Sequence, residues 1–135
     1  MKKLLAAALA VASLVSFVSC AKKDAVKAEG KVLNIYVWND EFSDRFNSYF
    51  ASKVPADVTV NFVQTPNADN AYQNKLDEVL LNQESAAADD KVDVFLVEAD
   101  YALKYVDTPY TLDVKKDIGL TDADLAQQFK YTKDI

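Results

Sequence analysis

The sequence predicts an α/β fold with three layers, in which a mostly parallel sheet of strand order 2-1-3 lies between helices. Three short segments with strand character, 32–38, 57–64 and 92–97, alternate with segments of helical periodicity. The first and third are almost entirely apolar, as in strands buried on both faces, whereas the second alternates apolar and polar residues. We therefore expect the second strand at the outside of the sheet and right-handed crossovers between parallel strands.

The first βα unit begins with a strand over 32–38, in which Asn34 alone interrupts the apolar run VLNIYVW. A helix is predicted over 41–52, because its large apolar residues recur at offsets of four, seven and eight positions. The residues on that face are Phe42, Phe46, Tyr49 and Phe50.

The second unit begins with a strand over 57–64, where apolar residues alternate with polar ones in the run VTVNF. A helix is predicted over about 69–83, with one apolar face. That face consists of Tyr72, Leu76, Val79 and Leu80. Residues 84–91, rich in alanine and aspartate, are expected to form a polar surface loop.

The third strand is predicted over 92–97, where Asp93 alone is polar. A short helix is expected to follow, through Val106. A last helix is predicted to begin at Thr121, because Thr121 and Asp124 have the spacing of a capping box.

Composition excludes several functional classes. The chain has 135 residues, which allows one small domain, and its 15 basic and 21 acidic residues give a net charge of −6. Arg45 is the only arginine, and no basic stripe exists to neutralise phosphates, so we expect no nucleic-acid partner. Histidine is absent, and Cys20 is the only cysteine. Imidazole chemistry, thiol catalysis and thiolate metal sites are therefore not expected.

Residues 1–19 are predicted to be a secretory signal peptide, because Lys2 and Lys3 precede an apolar run too short for a flanked membrane span. The sequence FVSC, which ends at Cys20, resembles a bacterial lipobox with an aromatic residue where leucine is usual. That resemblance implies cleavage before Cys20 and its lipidation, and a plain signal peptide is the alternative. Loss of the two lysines leaves 13 basic against 21 acidic residues, a net charge of −8. Membrane attachment would then come from lipid alone, with residues 20–31 as a flexible tether.

Polar and aromatic residues follow each predicted strand, at the sheet edge where α/β proteins bind ligands. The crevice is expected between the first and third strands, where the strand order reverses. The residues at this edge are Trp38, Asn39, Asp40 and Glu41 in the first loop, Asn67, Asp69 and Asn70 in the second, and Glu98, Asp100 and Tyr101 in the third. These loops contain no Lys, no Arg and no glycine-rich phosphate turn, which disfavours a nucleotide or an oxyanion. A neutral polyhydroxyl ligand such as a sugar suits them, and so does a diamine.

Each candidate also has an ordinary structural role. Trp38 could pack between sheet and helix, and Tyr101 could pack with Tyr105 in the core. The other candidates could be helix caps or turn residues: Asn39, Asp40, Glu98 and Asp100 as caps, and Asn67, Asp69 and Asn70 as turn residues. Glu41 and Glu98 could in principle form the carboxylate pair of a glycosidase, but no pattern fixes their separation, so we expect no catalytic residues.

The signal segment, the tether, the run VLNIYVWNDEF, the βαβ unit and the run KVDVFLVEADYALKYV together resemble the extracellular solute-binding lipoproteins of ABC importers, in particular the family that delivers carbohydrates. The resemblance covers the chain after Cys20. It implies an extracytoplasmic, membrane-anchored receptor that closes two α/β lobes over a sugar and delivers it to permease subunits, without cofactor or metal. The ligand contacts that the resemblance implies are Trp38, Asn39, Glu41, Glu98, Asp100 and Tyr101, and Asp40 completes our predicted set.

Members of that family are longer than this chain. Residues 32–135 are therefore expected to form an incomplete first lobe, the N-terminal part of such a receptor, with an apolar edge on the third strand. Two alternatives stay open. A polyamine or another cationic solute is one, because Trp and Asn after the first strand also resemble polyamine-binding members. A small surface lipoprotein that binds another protein is the second.

Overall fold

A computed structural model of the chain describes residues 30–133. The predicted signal peptide, Cys20 and most of the predicted tether lie outside these residues. In chain order the elements are β1 (Val32–Val37), α1 (Glu41–Tyr49), β2 (Thr59–Gln64), α2 (Ala71–Leu81), β3 (Val94–Phe95) and α3 (Lys130–Lys133). Short 3-10 helices occupy Ala51–Lys53, Ala88–Asp90 and Ala102–Lys104.

The described strands form one parallel sheet of order β2-β1-β3, which confirms the predicted fold class and strand order. β1 pairs with β2 over its full length, starting with Val32 opposite Thr59. It pairs with β3 over two residues, with Tyr36 opposite Phe95 at the second. Within the described residues β1 is therefore the central strand, and β3 lies at the edge.

The helices α1 and α2 cover opposite faces of this sheet. Phe46 of α1 makes an edge-to-face contact with Phe62 of β2, with ring centroids 5.5 Å apart. Ile35 is the partner of Phe62 in β1, so Ile35 lies on the α1 side, and its neighbour Tyr36 lies on the α2 side. On that side Tyr36 packs in the main core cluster with residues of α2, namely Tyr72, Leu76 and Leu80. The arrangement is a small three-layer α/β fold.

Asn34, the polar residue of β1, organises the amino-terminal end of the sheet and is 5% exposed. Its Nδ2 donates to the backbone carbonyls of Asp89 at 2.8 Å and Lys91 at 2.9 Å. Its Oδ1 accepts from Asn61 Nδ2 at 2.8 Å, and its backbone N–H donates to Asp93 Oδ2 at 2.8 Å. The segment after α2, predicted as a surface loop, is therefore fastened to the central strand.

The last two residues of the predicted tether contact the same segment. Asp89 Oδ1 accepts from the backbone N–H of Lys31 at 2.5 Å and of Val32 at 3.1 Å. A Cβ on Gly30 would lie 2.8 Å from the carbonyl oxygen of Ala88, closer than a side chain tolerates. Gly30 and Lys31 are thus bound to the folded domain.

The third strand is shorter than predicted. The prediction covers 92–97, whereas pairing in the sheet is confined to Val94–Phe95. At Val92 a side chain replaces a strand partner, because the Gln83 amide donates to the Val92 carbonyl at 2.7 Å and accepts from its N–H at 2.9 Å. The backbone of Val92 is therefore satisfied without an additional strand.

The two helices predicted after the third strand are corrected by the structure. The first is a single 3-10 turn, Ala102–Lys104, and no helix begins at Thr121. The capping box itself forms, since Thr121 Oγ1 donates to Asp124 Oδ2 at 2.6 Å and accepts from the Asp124 N–H at 3.3 Å. Residues 122–127 nevertheless form turns, and all except Leu125 are exposed. A capping box alone does not stabilise a short helix that has no apolar face packed against the rest of the protein.

Large apolar side chains are exposed along the segment that starts at β3. They are Val94, Val97, Leu103, Val106, Tyr110, Leu112, Val114, Ile118, Leu120, Phe129 and Tyr131. The expected apolar edge is present in β3, where Val94 is 39% exposed. No helix within residues 30–133 combines the length and apolar character that a membrane-spanning segment requires.

Candidate functional site

The loops that follow β2 and β3 meet beyond the carboxyl end of β1. Asn67 Nδ2 donates a hydrogen bond to Glu98 Oε2 at 2.9 Å, and both residues are exposed. Because β1 lies between β2 and β3, this bond spans the carboxyl end of β1, beside the crevice expected between β1 and β3. Two of the three predicted loops are therefore in direct contact.

Trp38 lies directly after β1 and is partly buried. Its ring packs edge-to-face against Tyr72, with centroids 5.3 Å apart, and it borders the main core cluster. The packing role between sheet and helix is thus the one observed. Because burial is partial, part of the side chain remains accessible to solvent.

Asn39, Asp40 and Glu41 form the start of α1 and are all exposed. Asn39 Oδ1 accepts from the Glu41 N–H at 3.1 Å, and the Asp40 carbonyl accepts from the Asp44 N–H at 2.9 Å. Glu41 pairs with Arg45 at 3.0 Å on the helix surface. The Asn39 side chain therefore satisfies an N–H at the start of α1, which is the helix-capping role considered for it in the sequence. The Asp40 side chain makes no capping bond.

Tyr72 is the residue of this edge that the sequence prediction missed. Its hydroxyl donates to the Leu96 carbonyl at 2.7 Å, accepts from the Leu96 N–H at 3.1 Å and lies 3.1 Å from the Tyr36 carbonyl. It joins β1 and β3 where their pairing ends. Burial raises the pKa of Tyr72, the Leu96 backbone opposes that change, and nearby Tyr101 adds to it. The spacing predicted Tyr72 on the core face of α2. It gave no indication that the Tyr72 hydroxyl would bond to the ends of β1 and β3.

Tyr101 contributes a buried hydroxyl that has no hydrogen-bond partner within the described residues. Its ring packs edge-to-face with Tyr105, with centroids 6.4 Å apart. Burial raises the pKa of Tyr101, the backbone of Glu98 opposes that increase, and the carboxylates of Glu98 and Asp100 raise the pKa further. The hydroxyl therefore keeps an unmet donor capacity near the carboxylates of Glu98 and Asp100.

The remaining candidates stand apart from these contacts. Asp69 and Asn70 have φ values of 50° and 59°, the left-handed region that aspartate and asparagine tolerate best after glycine. They turn the chain into α2. Asp100 is exposed and acts on Tyr101 through its charge.

The edge can exchange hydrogen bonds and offer aromatic surface, and its two glutamates have different partners. Glu41 is bound by Arg45, whereas Glu98 is bound by Asn67. Across residues 30–133, no group of three or more His, Cys, Asp or Glu side chains is arranged to hold a metal ion.

No family model, no curated protein and no solved structure matches this chain.

Proposed function

We propose that this chain is the ligand-capturing part of an ABC importer, a lipoprotein that binds an extracellular carbohydrate and delivers it to a membrane permease. The observation that carries the proposal is the chemistry of the carboxyl edge, where amides, carboxylates and aromatic rings converge in loops free of Lys and Arg. Attachment to the membrane outside the cytoplasm is through lipid on Cys20. The protein acts by binding and has no catalytic step.

The chemistry of a sugar matches these groups. Its hydroxyls can donate to Glu98 and exchange bonds with Asn67, whose mutual hydrogen bond is solvent-exposed and therefore weak. Its C–H face can cover the accessible part of Trp38. The unpaired hydroxyl of Tyr101 is a further potential donor for a sugar oxygen.

Calorimetric titration of the full-length chain with neutral mono- and oligosaccharides tests the proposal. We expect saturable binding of at least one sugar. Glu98→Gln should weaken it about fivefold, because the charged acceptor is lost while the shape is kept. Glu84→Gln removes an exposed carboxylate from the loop after α2 and should leave binding unchanged. Absence of saturable heat with every sugar contradicts the proposal.

A cationic solute such as a polyamine is the second candidate. The observation that favours it is the exposure of two carboxylates, Glu98 and Asp100, which act electrostatically on the neighbouring aromatic side chain of Tyr101. Spermidine titrated in the same way should then bind in place of sugars, with an affinity that falls steeply with salt. Glu98→Gln should weaken spermidine much more than fivefold, which separates the two candidates.

A further inference from the structure

We infer that a cleft between α2 and the segment after β3 binds a small neutral aromatic ring that carries one hydrogen-bond donor, such as phenol or indole. The cleft has a volume of about 230 Å³. Its lining residues are Asp77, Leu80, Leu81, Lys104, Tyr105, Thr108 and Tyr110. Leu81 ends α2, and Tyr72 lies near its start, so the cleft lies toward the opposite end of α2 from the proposed sugar site. Its floor residue Tyr105 packs against Tyr101 of that site, but binding of a ring in the cleft does not rest on the proposed function.

The walls of this cleft are apolar and partly aromatic. Leu80 and Tyr105 form a buried floor, with exposures of 2% and 5%. Leu81 and Tyr110 flank it and are 73% and 37% exposed, so apolar surface of the cleft meets water. A ring that enters removes this surface from water and meets two tyrosine rings in a concave setting. A fully apolar cavity of about 150 Å³ already holds benzene, so the volume is sufficient for one small ring.

The charged groups at the cleft cancel one another. Lys104 Nζ donates to Asp77 Oδ2, and the Tyr105 hydroxyl donates to Asp77 Oδ1 at 3.0 Å. Lys104 Nζ also lies 5.4 Å from the centroid of the Tyr105 ring, which holds the ammonium against the aromatic floor. Because the ion pair has no net charge, the cleft favours a neutral ligand over an anion or a cation.

Asp77 provides the polar specificity. A carboxylate offers about four acceptor positions, and two of them are used by Lys104 and Tyr105. Thr108 Oγ1 is already engaged in both senses, since it donates to the Tyr105 carbonyl at 3.0 Å and accepts from the Tyr110 N–H at 3.3 Å. A ligand O–H or N–H therefore has Asp77 as its acceptor, and a ring without a donor should bind less tightly.

The test uses the full-length chain and NMR titration with phenol, toluene, benzoate and the tripeptide Gly-Tyr-Gly. We expect phenol to bind with a Kd on the order of 1 mM, as for a fragment of seven heavy atoms. Toluene and benzoate should bind about fivefold more weakly. Leu81→Ala should weaken phenol three- to tenfold, whereas Leu103→Ala, which removes an equally exposed leucine outside the cleft, should not.

Each outcome decides the inference. No saturable shift with phenol at 20 mM, about twentyfold above the expected Kd, or equal effects of the two alanine variants, overturns the site. Equal binding of toluene and phenol overturns the role of Asp77. Tighter binding of the tripeptide than of phenol supports the ring site and identifies a tyrosine of a partner peptide as its source, while weaker binding assigns it to a free aromatic compound.

Discussion

The Tyr72 hydroxyl donates a 2.7 Å hydrogen bond to the Leu96 carbonyl, and it accepts from the Leu96 N–H at 3.1 Å. One side chain of α2 thus binds both backbone groups of Leu96, the residue after β3, whose N–H also donates to the Tyr36 carbonyl of β1 at 3.1 Å. It also fixes the carboxyl ends of β1 and β3 next to each other, because the same hydroxyl lies 3.1 Å from the Tyr36 carbonyl.

Tyr72→Phe should lower the free energy of unfolding by about 1–3 kcal/mol, because it removes the partner of a partly buried carbonyl at Leu96. Urea denaturation followed by circular dichroism measures the change. Tyr49→Phe is the matched control, since Tyr49 is 78% exposed, and its effect should stay within about 0.5 kcal/mol. Equal effects of the two variants would show that the Tyr72 hydroxyl has no special part in stability.

Asn34→Ala should be more damaging, with a loss of about 2–4 kcal/mol, because it leaves the carbonyls of Asp89 and Lys91 without their donor and opens a small cavity. Asn61→Ala removes one bond to the same amide and should cost less, about 1 kcal/mol. Amide hydrogen exchange would locate the loss. Faster exchange at Lys31 and Val32 in the Asn34 variant is expected. Unchanged exchange there would contradict the view that Asn34 holds the 89–91 segment against β1.

Gly30→Ala should lower the free energy of unfolding by about 1–3 kcal/mol, since the new Cβ would lie 2.8 Å from the backbone oxygen of Ala88. Gly119→Ala is the matched comparison. There φ is +88° and no atom lies within 4 Å of the added Cβ, so the cost is backbone strain alone. Thermal melts of both variants measure the difference. If only Gly30→Ala weakens the protection of the Lys31 amide, steric contact with the 88–90 turn is established.

Alkaline pH should unfold the protein through its buried tyrosines. Burial raises the pKa of Tyr72 and of Tyr105 above the ordinary value of 10.0, and for Tyr105 the hydrogen bond to Asp77 adds to the increase. The folded state therefore favours the neutral phenols. This stabilisation is complete below pH 10 and is lost as pH rises from 10 toward the folded-state pKa.

Absorbance at the phenolate band and near-ultraviolet circular dichroism, recorded together from pH 9 upward, check this expectation. The phenolate signal of these buried side chains should appear only with the loss of tertiary structure. In denaturant the same groups should ionise near 10.0. Phenolate formation by Tyr72 and Tyr105 in a still-folded protein would refute it.

Asp124 should titrate below its ordinary value. The hydroxyl and N–H of Thr121 both donate to its carboxylate, at 2.6 and 2.8 Å, and they lower the pKa of Asp124 from 3.8. The local stabilisation is present above pH 3.8 and is lost as pH falls through the lowered pKa. Carboxyl carbon NMR shifts measure the midpoint. Thr121→Val should move it upward, and an unchanged midpoint would contradict the capping box.

The geometry of the candidate site was predicted less well than the sheet. Glu98 and Asn67 were expected at one edge and are bonded there, because parallel strands place their following loops together. Trp38 was expected at the same edge, and its packing on Tyr72 could not be read from spacing. The sequence contained no pattern that predicted the cleft beside Asp77. Its walls come from α2 and from the segment after β3, and taken separately these look like an ordinary helix and an irregular segment.

Sheet order, parallel direction and the two covering helices follow from the sequence, because apolar periodicity is a local property and short crossovers leave few topologies. The assembled fold decides three other features: the length of β3, the hydrogen bonds of Asn34 to the 89–91 segment, and the position of the Tyr72 hydroxyl. Each rests on side chains that bond to backbone 9 to 57 positions away, as Gln83 does with Val92 and Asn34 with Lys91. Such bonds form only after folding brings the partners together, so no local pattern encodes them.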